Sequence, residues 1–106
     1  MNNELTPYIY YYSGNVWIKG QLNSKGEREG IWEWFYTNGN ILWRTSYKNG
    51  MENGIEDSFY PNGNIEIRTP YKKGNADGVQ EWFDEQGNIT KTILWKDGKL
   101  IETTKH

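Results

Sequence analysis

Short apolar runs alternate along the chain with breaks built on Asn and Gly. From Gly30 to Gly50 the sequence reads GIWEWFYTNGNILWRTSYKNG, and from Gly54 to Gly74 it reads GIEDSFYPNGNIEIRTPYKKG. Neither stretch sustains a helical period. Each has two runs rich in β-branched and aromatic residues around a glycine turn, which predicts a β-hairpin. The glycines set a period of 24 residues: Gly30, Gly54 and Gly78; Gly39, Gly63 and Gly87; Gly26, Gly50, Gly74 and Gly98. The apolar columns Phe35, Phe59, Phe83 and Ile41, Ile65, Ile89 keep the same spacing, as do Tyr47, Tyr71 and Trp95. Registered self-similarity of this kind marks a repeat architecture. Four copies are expected, at about 8–29, 30–53, 54–77 and 78–101, in one domain spanning 1–106. The first has a shortened turn at Tyr12-Ser13-Gly14-Asn15-Val16, and a truncated stretch from Gly98 to Thr103 follows the last.

The hairpin tips are Thr37-Asn38-Gly39, Pro61-Asn62-Gly63 and Glu85-Gln86-Gly87. Pro first and Gly third suits a type I turn followed by a left-handed glycine, the three-residue hairpin with a bulge. The links at Lys48-Asn49-Gly50 and Lys72-Lys73-Gly74 then turn the chain into the next copy. The expected fold is all-β: an antiparallel meander of about eight or nine strands forming a curved single-layer sheet.

The order G-x-W-x-x-F-Y-x-N-G-N followed by Y-x-N-G-x-x-x-G resembles the bacterial variant of the MORN repeat, and in particular the YwqK-family antitoxins. The resemblance covers roughly Tyr8 to Trp95. It implies stacked hairpins and an interaction role, with antitoxin or immunity functions among the members. The third copy departs from the pattern at Asp84 and Lys91.

The cross-strand register that the three-residue turn fixes sets Phe35 opposite Ile41, Glu33 opposite Trp43 and Ile31 opposite Thr45. The same rule pairs Glu81 with Lys91, whereas a two-residue turn would slip the register by one and set Trp82 opposite Lys91; Pro61 favours the first. One face then carries Ile31, Phe35, Ile41, Trp43 and Tyr47, with Ile55, Phe59, Ile65, Ile67 and Tyr71, then Val79, Phe83, Ile89, Ile93 and Trp95. Being apolar in every copy, it is the expected core face. Glu33, Asp57 and Glu81 form an acidic column through it. One carboxylate per hairpin suits a structural hydrogen-bond acceptor better than paired acid–base chemistry. The opposite face carries Tyr8, Tyr10, Tyr12, Trp32, Trp34, Tyr36, Leu42, Arg44 and Trp82, and becomes more polar toward the C-terminal copies. Arg44 is expected to stack on Trp32, and Glu56 to pair with Arg68. Aromatic side chains with an arginine match the composition of protein interfaces, so these nine residues are the expected partner-binding set.

Aromatics make up 16% of the 106 residues, an unusual share that Trp and Tyr dominate. A formal charge of −2 without a basic stripe gives no electrostatic reason to expect nucleic acid or an anionic membrane. Cysteine is absent, so thiolate chemistry is excluded. The N-terminal stretch has no basic segment followed by an aliphatic one, which suits a cytoplasmic location. The only histidine is His106. Ser46 and Ser58 therefore have no base within the repeats, no metal-ligand spacing is present, and the glycines punctuate turns. No catalytic residue, metal or cofactor is expected. The leading expectation is a non-enzymatic protein-binding module, an antitoxin, immunity protein or inhibitor that occludes a toxin or enzyme. The alternative is a carbohydrate- or cell-wall-binding aromatic repeat, or a scaffold. A single layer leaves a face to cover, which a second copy of the chain would also do.

Overall fold

The structure is a computed structural model that describes residues 5–6, 8–13 and 16–106. The first-copy turn at Gly14-Asn15 lies outside the described residues. The strands are β1 (Ile9–Ser13), β2 (Val16–Leu22), β3 (Arg28–Tyr36), β4 (Ile41–Lys48) and β5 (Met51–Phe59). They continue as β6 (Ile65–Lys72), β7 (Asn75–Ala76), β8 (Gly78–Phe83), β9 (Ile89–Lys96) and β10 (Lys99–Lys105). Nine of them follow one another in sequence order through a single antiparallel sheet, and the two-residue β7 pairs beside β6. β1 and β10 each pair on one side only, so the sheet is open. No helix occurs among the described residues, and hence none long and apolar enough to cross a membrane. The molecule measures 45 × 34 × 20 Å. A flat layer would be about 10 Å thick; the excess reflects the twist that right-handed strands impose.

The turns follow the glycine columns. Tyr36 N–H donates to Asn40 O at 2.8 Å and Gly39 N–H to Tyr36 O at 2.9 Å, closing a three-residue loop that recurs at Tyr60–Asn64 and Asp84–Asn88. Gly39, Gly63 and Gly87 sit at φ 91°, 93° and 93°, where a Cβ would be strained. The links between copies are tighter. Asn49-Gly50, Lys73-Gly74 and Asp97-Gly98 all have positive φ at both positions, the signature of a two-residue type I′ turn.

The ladder does not run uninterrupted from these loops. Phe35 faces Ile41, but the next rung joins Trp34 to Trp43, leaving Leu42 as the extra residue of a β-bulge. The same slip follows Phe59–Ile65 and Phe83–Ile89. Beyond it Glu33 faces Arg44 instead of Trp43, Trp32 instead of Ile31 faces Thr45, and Trp82 instead of Glu81 faces Lys91. A one-residue slip exchanges the faces of everything after it. The expected core face therefore does not exist as one surface. Trp43, Thr45 and Tyr47 join Trp32 and Trp34 on one side, while Ile31, Glu33, Phe35, Ile41 and Arg44 share the other.

The Trp32 side is the packed one. Trp32 is 2% exposed, and Thr45, Thr69 and Ile93 are also buried. Ile31 and Val79, expected inside, are each 53% exposed, and Ile55 is exposed as well. Burial of the large indole rather than the smaller aliphatic side chains follows from Gly20 in β2. Without a side chain, Gly20 leaves a gap across which the Trp32 ring lies.

Candidate functional site

Two kinds of surface result, and their chemistry differs. On the Trp32 side, polar groups are used up internally. Trp32 Nε1 donates to Gln21 O at 3.1 Å. The Arg28 guanidinium lies 4.5 Å from the Trp32 ring and 5.4 Å from the Tyr47 ring, and Nη1 donates to Tyr47 Oη at 3.1 Å. Arg28, and not Arg44, is thus the arginine stacked on Trp32. Two copies further on, Gln80 Oε1 accepts from Trp82 Nε1 at 2.9 Å and from Trp95 Nε1 at 3.0 Å, and Gln80 Nε2 donates to Thr69 Oγ1 at 2.8 Å. Lys91 Nζ lies 4.1 Å above the Trp82 ring, so the expected Glu81–Lys91 pair is replaced by a cation–π contact.

Glu52 and Glu56 sit between these two clusters. Burial, and then the neighbouring Glu52, push the Glu56 carboxyl up to about 8. Both effects favour the protonated carboxyl of Glu56, which lessens like-charge repulsion between the two acids. Burial, and then the charges of Glu56 and Glu52, push the Tyr71 hydroxyl up to about 12. Arg68 pairs with Asp57 and not with Glu56 as expected. Among the described residues no group of three or more His, Cys, Asp or Glu is arranged to hold a metal ion.

The Ile31 side is organised around charge. Arg44 Nη2 bridges to Glu33 at 3.2 Å, and Arg68 binds Asp57 through both nitrogens Nε and Nη2 at 2.8 and 3.0 Å. Asp57 is buried beneath this fork. Within the acidic column, Glu33 and Asp57 are held by arginines. Direct cross-strand pairing continues the row: Lys19 faces Glu33, Arg44 faces Asp57 and Arg68 faces Glu81. Lys19, Glu33, Arg44, Asp57, Arg68 and Glu81 thus form one line of alternating sign across six strands. Apolar residues flank the line: exposed Ile31, Ile55, Val79 and Leu94 on one side, and Trp17, Phe35, Ile41, Phe59 and Phe83 on the other.

The nine residues expected to bind a partner are not one surface. Trp32, Trp34, Tyr36 and Trp82 lie on the packed side, and Trp32 is closed to solvent. Leu42 is spent in the bulge, and Arg44 is held by Glu33 on the opposite side, above Phe59. Tyr10 and Tyr12 face Lys19 and Trp17 on the charged side. Lys19 Nζ lies 4.7 Å from the Tyr8 ring and 5.8 Å from the Tyr10 ring, and the Tyr12 and Trp17 rings are 5.1 Å apart. Tyr8, Tyr10, Tyr12 and Trp17 are 52%, 63%, 52% and 45% exposed, which makes this the aromatic end of an open face. Trp17, absent from the expected set, joins this end through its pairing with Tyr12.

An open sheet of tandem β-hairpins, without a second layer among the described residues, defines the class as a β-repeat protein. Residues 28–50, 52–73 and 76–97 each match the family described as MORN repeat variant, and the chain belongs to that family. No curated protein matches the chain. MORN repeats serve in general as binding modules.

Proposed function

We propose that this chain is a non-enzymatic protein-binding module that neutralises a cytoplasmic protein target by covering it, as an antitoxin, immunity protein or inhibitor does. The observation that carries the reading is the exposed cluster of Tyr8, Tyr10, Tyr12 and Trp17 around Lys19. Tyr and Trp are the side chains that most often dominate interface energy, because a rigid ring buries much area at small entropic cost. The Trp32 side supports the choice by contrast, since its rings already bond within the chain.

Replacing Tyr10, Tyr12 and Trp17 together by Ala is expected to weaken target binding by several kcal/mol, about 4 or more if two of them are hot spots. Capture from host extract followed by titration with the purified target measures this. One stoichiometric protein lost with the triple variant is the expected result. Capture unaffected by the triple variant overturns the assignment, and retention of glycan instead of protein favours a carbohydrate-binding module.

A further inference from the structure

We infer that a second copy of this chain docks on the Ile31 side, in an arrangement fixed by the line of charges. The sequence along that line is Lys19(+), Glu33(−), Arg44(+), Asp57(−), Arg68(+), Glu81(−). It stops there, because the next rung places Thr92 opposite Glu81. An alternating row with an even number of charges is its own complement when reversed. Two copies packed face to face must be related by an axis lying in the interface plane, for an isologous contact. An axis along the charged row would set each charge on its twin, Lys19 on Lys19. An axis parallel to the strands, between β4 and β5, reverses the row and sets every charge on its opposite.

The inner four charges are already bridged as Glu33–Arg44 and Asp57–Arg68. Lys19 and Glu81 form no ion pair with a described residue. Lys19 has only the Tyr8 and Tyr10 rings and the facing Glu33 beside it, and Glu81 the facing Arg68, so a covered face favours a direct opposite charge for each. The strand-parallel axis supplies one: Lys19 of each copy meets Glu81 of the other. The exposed Ile31, Ile55, Val79 and Leu94 lie beside the row and under this symmetry meet the same apolar strip of the second copy. A broad face of 45 × 34 Å exceeds the roughly 800 Å² per partner that a stable interface buries. Aligned packing at about −30° lets two twisted sheets follow each other. The docked copy covers the aromatic end as well, so dimer and target-bound forms exclude one another. The dimer does not depend on the target: it is measured on purified protein, and its absence would leave the capture experiment unaffected.

The test is sedimentation of wild type, Lys19→Glu, Glu81→Lys and a one-to-one mixture of the two variants. In either variant alone, both end contacts become repulsive, and dimerisation is expected to weaken by at least about tenfold. In the mixture the acid introduced at position 19 of one variant meets the base introduced at position 81 of the other. The unchanged Glu81 and Lys19 meet at the opposite end, and the dimer returns. A second measurement needs no variant: carbodiimide coupling of wild type should join Lys19 to Glu81. Within one chain these lie five strand spacings, about 24 Å, apart, so that zero-length link reports two copies. A monomeric wild type, a coupled dimer lacking the Lys19–Glu81 link, or folded variants whose mixture stays monomeric would each overturn the inference.

Discussion

Trp32→Ala is expected to lower stability by about 3–5 kcal/mol, the usual cost of removing a buried large aromatic. Trp32 is 2% exposed and touches more than one element. Its ring spans Gly20, supports the Arg28 guanidinium at 4.5 Å, lies 6.4 Å from Trp34 and meets Tyr47 edge-on at 6.3 Å. Truncation also leaves Gln21 O without the indole donor that it accepts from. A single-layer sheet has no second layer that can collapse into the gap, so little of the loss is recovered. Because domains of this size are stable by only about 5–15 kcal/mol, the variant should approach its unfolding threshold. Chemical denaturation measures the loss. Trp32→Phe, which keeps an aromatic ring and loses the donor, should fall between the two.

Gly20→Ala carries the second large effect, approached from the other side of the same contact. In a strand, Ala is ordinarily favoured over Gly by about 0.5–1 kcal/mol. Here the sign reverses. A Cβ on Gly20 would fall 2.1, 2.2 and 2.6 Å from carbons of the Trp32 ring. The indole is closed in and bonded to Gln21 O, so it cannot swing aside. Overpacking of this kind costs about 1–3 kcal/mol, and more where neither partner yields. The two substitutions should be strongly non-additive. In the Trp32→Ala background the obstruction is gone, and Gly20→Ala should be neutral or slightly stabilising when both are followed by denaturant titration.

The repeat and its turns were legible because they are written in residues with one physical meaning. Positive φ demands Gly at 39, 63 and 87, and the period could be counted from those columns alone. The faces were not legible, and the reason is one residue per hairpin. The bulge falls at Leu42, Glu66 and Thr90, three residues with no shared chemistry. No turn residue announces it, yet it moves Trp43 and Arg44 to opposite sides from those an unbroken ladder assigns. A signal did exist in the charges. Glu33 to Arg44 and Asp57 to Arg68 are both 11 residues apart, a spacing that an uninterrupted ladder from the loop cannot bring into register and a bulged one can. Gly20 carried a second signal. It lies off the 24-residue ruler and without positive φ, so its role is close approach and not a turn.

The central claim is that the aromatic end beside Lys19 is the docking surface while the Trp32 side is the interior. Hydroxyl-radical oxidation of the tryptophans, read by mass spectrometry on the free protein and on its complex with the captured target, tests this most directly. Trp17 should oxidise quickly in the free protein diluted to its monomer and be protected in the complex, while Trp32 stays unreactive in both. Rapid oxidation of Trp32 in the free protein, or a complex that protects Trp82 and leaves Trp17 open, would contradict it.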